Sequence, residues 1–229
     1  MARSINEQEY NKKQNEILDT AQRLIYTIGY EQMTIQNVID ECQMSKGAFY
    51  HYFKSKNDLL EALINHMTEG VILAIQPIAD DPTLTGIEKI NKFFSTAATW
   101  KSARKPFFMA LMRSWYSDSN TLVRDKTTTT SIKIVAPVLN KLVAQAVSEG
   151  SVHTAYPEFA AEIIFTIFMG LGDTLVKHVL SPEVDPDFER LLLSYSTAIE
   201  KVLGVEPNQL KLIDADMINE WREPVVDLS

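Results

Sequence analysis

The sequence predicts an all-α protein with a helix-turn-helix domain at the N-terminus and a larger helical domain after it. Apolar residues recur at 3- and 4-residue steps along most of the chain, and no segment alternates apolar and polar residues as a half-buried strand does. The 229 residues include only 8 glycines and 9 prolines. Sandwiches and barrels need turn residues about every 8 to 12 positions, so this composition favours long helices.

Two helices are predicted before residue 43. The first runs from Asn11 to Ile28, and Gly29 is placed to end it. Thr34 can cap a second helix of about two turns. The inward faces of these helices are Ile17, Leu18, Ala21, Leu24, Ile25 and Ile28 in the first, and Ile35, Val38, Ile39 and Cys42 in the second.

A short third helix and a longer fourth helix follow. Ser45 can cap the third helix, and Ser55 and Asp58 have the spacing of a capping box at the start of the fourth. The apolar residues at helical spacing are Ala48, Phe49, Tyr52 and Phe53 in the third helix, and Leu59, Leu60, Leu63, Ile64, Met67 and Val71 in the fourth. We expect these four helices to form one compact unit.

Pro77 and the residues after it interrupt the helical pattern, and Thr85 and Glu88 form a second capping box. Further helices are expected from residue 86 to about Lys101 and at about 106–118, 121–149, 157–180 and 186–204. Pro137 predicts a kink or two shorter helices within 121–149. We therefore expect a helix-turn-helix domain at 1–76, a larger helical domain at 85–205, and an acidic tail at 206–229.

Composition and charge exclude several classes of protein. Cys42 is the only cysteine, so neither an intramolecular disulfide nor a cysteine-based metal cluster is expected. The N-terminus has no apolar leader and no stretch reaches 18 uninterrupted apolar residues, so a cytoplasmic protein that does not span a membrane is expected. The net charge of −8 argues against indiscriminate coating of nucleic acid. Residues 181–229, with 11 acids and 4 bases, predict a solvated tail with a loosely docked helix.

The second and third helices have the arrangement of a helix-turn-helix, whose second helix enters a major groove of DNA. Residues 45–57 contain three lysines and no acidic residue within a chain of net charge −8. Gly47 lets the backbone approach a base edge or a phosphate, and Lys46 can reach guanine or a phosphate. Phosphate contacts are expected from Thr34, Tyr50, His51, Tyr52 and Lys56.

At these residues the sequence resembles the tetracycline-repressor (TetR) family of bacterial transcription regulators. The resemblance covers about residues 11–66 and lies in Thr34–Ile39 and in the string from Ser45 to Leu60. It implies that Thr34 and Lys56 hold phosphates, that Ser45, Lys46, Gly47 and Ala48 contact bases or nearby backbone, and that Tyr50 and His51 contact phosphates, with Tyr52 a weaker candidate. The chain departs from the family at Cys42-Gln43-Met44, where many members have a small Ala-Gly turn.

The family's remaining helices bind an effector and dimerise, which predicts the same roles for the C-terminal helices here. Aromatic and methionine side chains suitable for an apolar cavity are Trp100, Phe108, Met112, Trp115, Tyr116, Phe165, Phe168 and Met169. The alternative interpretation is that this stripe is ordinary core. Residues 89–148 hold ten bases and two acids, which is compatible with an anionic effector or with a solvated basic face.

The last two long helices carry small and apolar residues suited to a two-fold four-helix interface, although burial within the monomer is the alternative. The sequence therefore predicts a homodimeric repressor that binds a palindromic operator and is released by a small-molecule effector. A protein of the same fold controlled by a protein partner, through the acidic tail, is the alternative. No metal, cofactor or enzymatic activity is expected, because the four histidines form no metal-ligand motif and no phosphate loop or nucleophile elbow is present.

Overall fold

The computed structural model describes the backbone of residues 2–115, 121–181, 187–212 and 221, and the side chains of these residues except 2–6, 111, 113–115 and 121–127. The elements in this part of the chain are all helices, which confirms the all-α fold class. They are α1 (Ala2–Ile28), α2 (Ile35–Glu41), α3 (Lys46–Tyr52), α4 (Lys56–Ala79), α5 (Gly86–Ser102), α6 (Lys105–Trp115), α7 (Thr121–Ser148), α8 (Pro157–Leu180) and α9 (Phe188–Leu203).

Packing groups the chain into two compact units. The first comprises Met1–Met67 and Pro106–Thr127, and the second comprises Thr68–Lys105 and Thr128–Ser229. The long helix α4 contributes residues to both units. This grouping differs from the domain limits expected at residues 76 and 85, which stay a prediction.

The core of the first unit is formed by the predicted apolar stripes of α1 to α4. Phe49 and Phe53 of α3 are fully enclosed, and the core also buries Ile17, Leu18, Ala21, Leu24, Ile25, Val38, Ile39, Cys42, Leu59, Leu60, Leu63, Ile64 and Met67. Two residues that the pattern placed inward are exposed instead. Ile28 is the last residue of α1, just before Gly29 turns the chain, and Ala48 lies on the outer face of α3.

The second unit has its own core, in which α4, α5, α7, α8 and α9 meet around Ile75, Phe94, Leu139, Ile164 and Ile199. The amino end of α5 touches α7 so closely that a Cβ on Gly86 would lie 2.3 Å from the backbone nitrogen of Ala146. Only glycine permits this contact.

Pro77 and Pro137 both lie within helices, so the expected interruption at Pro77 and the division of 121–149 into two helices are wrong, whereas a kink at Pro137 stays a prediction. α4 continues past Pro77 to Ala79, and α7 runs through Pro137 as one helix. A proline removes one backbone hydrogen bond from a helix. At the end of α4 this loss affects only the last turn, and the Lys89 ammonium donates to the Ala79 carbonyl at 2.9 Å. In α7, Val135 and Leu139 flank Pro137 and are buried in the core, so packing holds the helix together.

α8 is the one helix in the described ranges that is long and apolar enough to cross a membrane by length and composition, and both criteria are also met by core helices of soluble proteins. Charged residues at positions 158, 162, 173 and 177 interrupt its sequence, so a search for 18 uninterrupted apolar residues does not detect this helix. The criterion is weak evidence for membrane insertion.

The segment after α9 is docked on the second unit at residues 209–212. Leu210 and Leu212 are buried in the core, and the Glu200 carboxylate accepts from the Leu210 N–H at 3.2 Å. The Asn91 side chain donates to the Gln209 carbonyl at 3.1 Å and accepts from the Lys211 N–H at 2.7 Å. The expectation of a solvated tail is therefore wrong for these residues.

Candidate nucleic-acid interface

Local capping fixes the first turns of α2 and α3. The Thr34 hydroxyl accepts from the Asn37 N–H at 3.1 Å, and the Asn37 side chain accepts from the Thr34 N–H at 2.8 Å, which completes a capping box. The Ser45 hydroxyl accepts from the Ala48 N–H at 3.2 Å. Both predicted caps are confirmed.

The turn between α2 and α3 is a tight left-handed cap in which the expected glycine is replaced by Gln43. Gln43 has φ 49°. The Met44 N–H donates to the Ile39 carbonyl and the Gln43 N–H donates to the Asp40 carbonyl, both at 3.1 Å. These two bonds define a Schellman motif. Residues 42–44 therefore differ from the resembled family in their side chains but still form a tight turn.

The outer face of α3 is basic and exposed. Lys46, Gly47, Ala48, Tyr50 and His51 all lie at the surface, while Phe49 points into the core. The Lys46 ammonium has no hydrogen-bond or ion-pair partner among the residues that the structure describes. It is therefore available to an anion outside the chain.

Gly47 has no packing reason to be glycine. A Cβ placed on it would meet no atom within 4 Å. Glycine in a helix is less favourable than alanine by up to about 1 kcal/mol, and no contact within the chain compensates for it here. An absent side chain at this position suits the close approach of another molecule.

The two capping hydroxyls are already engaged in the folded chain. The Thr34 hydroxyl also donates to the Asn37 side-chain oxygen at 2.6 Å, so a phosphate at Thr34 would have to take over that donor. Ser45 keeps its hydroxyl hydrogen available, since its oxygen acts as the acceptor in the cap.

Lys56 is held at the start of α4 by contacts with the residues that follow α1. Its ammonium lies 4.2 Å from the centre of the Tyr30 ring and donates to the Glu31 carbonyl at 3.3 Å. Partial burial lowers the pKa of Lys56, and the Glu31 carboxylate opposes this effect. The Tyr30 hydroxyl donates to Asn57 at 3.1 Å, so ring and ammonium are fixed together. The Tyr30 ring and the Glu31 carbonyl therefore hold the Lys56 ammonium in place, and this ammonium has further N–H donors to offer to a phosphate.

Tyr52 is placed differently from the other candidates. It is half-buried and stacks on Tyr10 of α1, with 4.7 Å between the ring centres, and Tyr10 also contacts the edge of the His51 ring at 5.8 Å. Sequence reasoning missed Tyr10 because α1 was expected to begin at Asn11 and instead begins at Ala2. Residues 2–10 carry no apolar stripe from which this longer helix could have been predicted.

The candidate effector residues fall in both compact units. Phe165 is buried in the core of the second unit, whereas Trp100, Phe168 and Met169 of that unit are half-buried. Phe108 and Met112, in the first unit, are also half-buried. The side chain of Trp115 and all of Tyr116 lie outside the described residues.

α8 and α9 pack on each other and leave apolar side chains exposed. Leu171, Phe188 and Leu192 form a buried cluster between them, and Thr174 and Tyr195 share a hydrogen bond of 3.2 Å. On the outer surface, the exposed apolar side chains of the two helices are Phe159, Ile163, Leu191 and Leu193.

Comparison with known proteins agrees with this geometry. Residues 17–63 match the family model of bacterial regulatory proteins of the tetR family. The HTH-type transcriptional regulator YuxN of Bacillus subtilis is 38% identical over 74 residues, which are 31% of this chain and 25% of YuxN. The HTH-type transcriptional regulator EthR of Mycolicibacterium smegmatis is 29% identical over 124 residues, which are 47% of this chain and 57% of EthR. The chain thus matches less than two thirds of either relative.

Solved structures of similar fold cover most of the chain. GusR of Salmonella enterica has a TM-score of 0.57 at 14% identity and covers 84% of this chain and 96% of its own. A TetR transcription regulator from Haloarcula marismortui has a TM-score of 0.56 at 20% identity and covers 84% of this chain and 95% of its own. These likenesses concern the fold. The N-terminal segment therefore has the sequence of the tetR family of bacterial regulatory proteins, and most of the chain shares the fold of solved regulators.

Proposed function

We propose that the protein is a DNA-binding transcriptional regulator in which α3 enters the major groove of its operator. The observation that carries this proposal is the outer face of α3, where Lys46 has no partner among the described residues and lies beside Gly47, and where no acidic residue interrupts residues 45–57. In a chain of net charge −8, this local excess of lysine on an exposed helix face favours a polyanion at α3. Lys46, Gly47 and Ala48 face the bases, and Thr34, Ser45, Tyr50, His51 and Lys56 hold the flanking phosphates.

The regulator acts as a homodimer on a palindromic operator. The exposed apolar side chains of α8 and α9 supply the surface for a two-fold interface, since an apolar patch of this kind is covered in a stable assembly. Two copies of α3 must lie about 34 Å apart to enter successive major grooves. Each half of the palindrome then contacts one protomer.

The regulator is a repressor that a small molecule releases from DNA, in the bacterial cytoplasm. An effector that binds more tightly to a dimer with a different spacing of the two α3 helices lowers the affinity for DNA by its differential affinity. Trp100, Phe168 and Met169, half-buried in the second unit, supply apolar surface for such a molecule. Control by a protein partner through the acidic tail is less well supported, because residues 209–212 are occupied with the core.

Selection of genomic fragments tests the proposal directly. Purified full-length protein is mixed with fragments of the source genome at physiological salt, and the bound fragments are sequenced. We expect one palindromic motif and a complex containing an even number of protomers. Enrichment of no motif, with correctly folded protein from which bound small molecules have been removed by refolding, would contradict the proposal.

A further inference from the structure

Three aromatic rings form a cluster where α3 ends, and one of them comes from α1. The Tyr10 ring of α1 stacks on the Tyr52 ring, with 4.7 Å between the ring centres and 28° between the ring planes. The His51 ring lies 5.8 Å from Tyr10 and 5.5 Å from Tyr52 between centres, at interplanar angles of 83° and 82°. Both contacts of His51 therefore have the edge-to-face geometry that aromatic pairs prefer.

Tyr10 extends the core-facing side of α1 beyond the core itself. It precedes Ile17 by seven residues, which is about two helical turns, so the two side chains lie on the same face of the helix. Ile17 is fully buried, whereas Tyr10 and Tyr52 are half-buried and residues 7–9 are exposed. The ring cluster therefore lies at the edge of the first unit, where less apolar surface is buried than in the core.

The His51 ring is exposed, and it is held by Tyr10 and Tyr52 alone within the ranges that the structure describes. No hydrogen bond or ion pair of His51 is found in those ranges. A histidine ring carries at least one N–H donor in either protonation state. This donor is therefore left for a molecule outside the chain, and phosphate oxygens accept such bonds in complexes with DNA.

Holding the His51 ring in advance lowers the cost of binding. An exposed side chain that becomes immobilised against a partner loses rotamer freedom, and this loss reduces the affinity. Tyr52 is the next residue of the same short helix, whereas Tyr10 belongs to a different helix. Within the cluster, it is therefore Tyr10 that ties the end of α3 to α1.

We propose that Tyr10 is a positioning residue of the DNA interface, which orients the His51 ring for a backbone phosphate. It acts through its ring and not through its hydroxyl, directly and by way of Tyr52. This role rests on the proposed DNA-binding function. Because phosphate contacts carry no sequence information, Tyr10 contributes equally to the binding of the operator and of unrelated DNA.

Substitutions at Tyr10 separate the ring from the hydroxyl. Tyr10→Ala removes both, and Tyr10→Phe keeps the ring alone. Tyr26→Ala removes an exposed tyrosine of the same helix that lies outside the cluster, and it is the matched control. Affinities of the full chain are measured for a selected operator and for an unrelated duplex of the same length. Circular dichroism establishes that each variant is folded, and Tyr10→Leu replaces an alanine variant that is not.

We expect Tyr10→Ala to weaken the binding of both duplexes about tenfold, because each protomer of a dimer loses a held ring. Tyr10→Phe and Tyr26→Ala should bind as the wild type does. A double-mutant cycle with His51→Ala tests whether Tyr10 acts through His51. In the His51→Ala background, Tyr10→Ala should change the affinity less than about twofold, since the side chain that it positions is gone. A purely structural role would weaken binding equally in both backgrounds.

Three results would overturn the positioning role while the wild type still binds its operator. They are wild-type affinity in folded Tyr10→Ala, an equal loss with and without His51, and a loss in Tyr10→Phe as large as that in Tyr10→Ala. The last result would make the Tyr10 hydroxyl a DNA contact of its own. In each case the proposed function stands. If the wild type selects no operator, the proposed function fails, and the role of Tyr10 fails with it.

Discussion

Gly47 is a single residue whose identity indicates contact with another molecule. In the first turn of α3 it has open space where a side chain would be. We expect Gly47→Ala to raise the free energy of unfolding by up to about 1 kcal/mol, because alanine is the better helix former. Operator affinity should fall, since the new methyl group occupies space that the DNA needs. Denaturant unfolding and DNA titration give the two values, and an unchanged affinity would remove the argument for close approach at Gly47.

Lys56 provides the second test at this scale. Lys56→Ala removes one phosphate contact, so affinity should fall similarly for all DNA sequences and the slope of log affinity against log salt should flatten by about one. Titrations at several salt concentrations measure it. Lys92→Ala, an exposed lysine on α5, is the control and should leave the slope as in the wild type. A wild-type slope in Lys56→Ala would mean that Lys56 serves only to cover Tyr30.

Tyr30 gives the fold a dependence on alkaline pH. Burial, with help from the Glu31 carboxylate, raises the pKa of Tyr30 from 10.0 to about 12. Between these values the unfolded chain loses the phenolic proton and the folded chain keeps it, so the free energy of unfolding falls as pH rises. We expect Tyr30→Phe to reduce this fall, measured by urea unfolding from pH 9 to 12 (about the range of the shift). The exposed Tyr26→Phe should keep the wild-type fall, and an identical fall in both variants would assign it to other groups.

The sequence predicted residues whose role is local. Thr34 and Ser45 were identified as caps because a capping hydroxyl needs only a backbone N–H three residues later. Tyr10 and Tyr30 could not be identified in this way. Their partners, Tyr52 and Lys56, lie 42 and 26 residues further along the chain, and no spacing rule connects them.

At the scale of elements, the turn between α2 and α3 has a regular Schellman backbone, but its left-handed position is occupied by Gln43 and not by glycine. Residues other than glycine lose roughly 1 kcal/mol in the left-handed region, although glycine also increases the entropy of the unfolded chain. We expect Gln43→Gly to raise the free energy of unfolding by about 0.5 kcal/mol. Gln32→Gly, at an exposed position without positive φ, should lower it, and both are measured by urea unfolding. Destabilisation by Gln43→Gly would mean that the Gln43 side chain itself supports the turn.

The sequence predicted which segments are helical better than it predicted where each helix begins and ends. The predicted boundaries of α8 agree with the structure because Pro157 begins it, and Ser181 before a proline ends it. The end of α4 and the possible division of α7 at Pro137 were misjudged, since a proline has a local cost whereas packing of the neighbouring turns decides whether the helix continues. Packing is a property of the folded chain and is absent from the local pattern.

At the scale of the whole molecule, the proposed dimer brings together the apolar surface of α8 and α9 and the DNA-binding surface of α3. Leu193 on α9 is 63% exposed, and Leu73 on α4 is 73% exposed. We expect Leu193→Glu to give a monomer and to weaken operator binding strongly, because a charge in an apolar interface is costly and a monomer contacts one half-site. Leu73→Glu should remain dimeric. Sedimentation and DNA titration measure both, and a dimeric Leu193→Glu would place the interface elsewhere.

The proposed effector site was the part that the sequence could predict least. The aromatic residues chosen from the pattern are divided between the two compact units, and the pattern could not distinguish the buried Phe165 from the accessible Phe168. The excess of basic residues was visible, but its two interpretations stayed open.

The docking of residues 209–212 also constrains the order in which the molecule can form. The Asn91 side chain both donates to and accepts from the backbone of residues 209–211, as a neighbouring strand of a β-sheet would. The Glu200 carboxylate accepts a third hydrogen bond from this segment. Asn91 lies on α5 and Glu200 lies on α9, so neither anchor is in place until helices distant in sequence have packed together. Residues 209–212 therefore dock late in folding, and Leu210 and Leu212 become buried only after α5 and α9 have packed in the second unit.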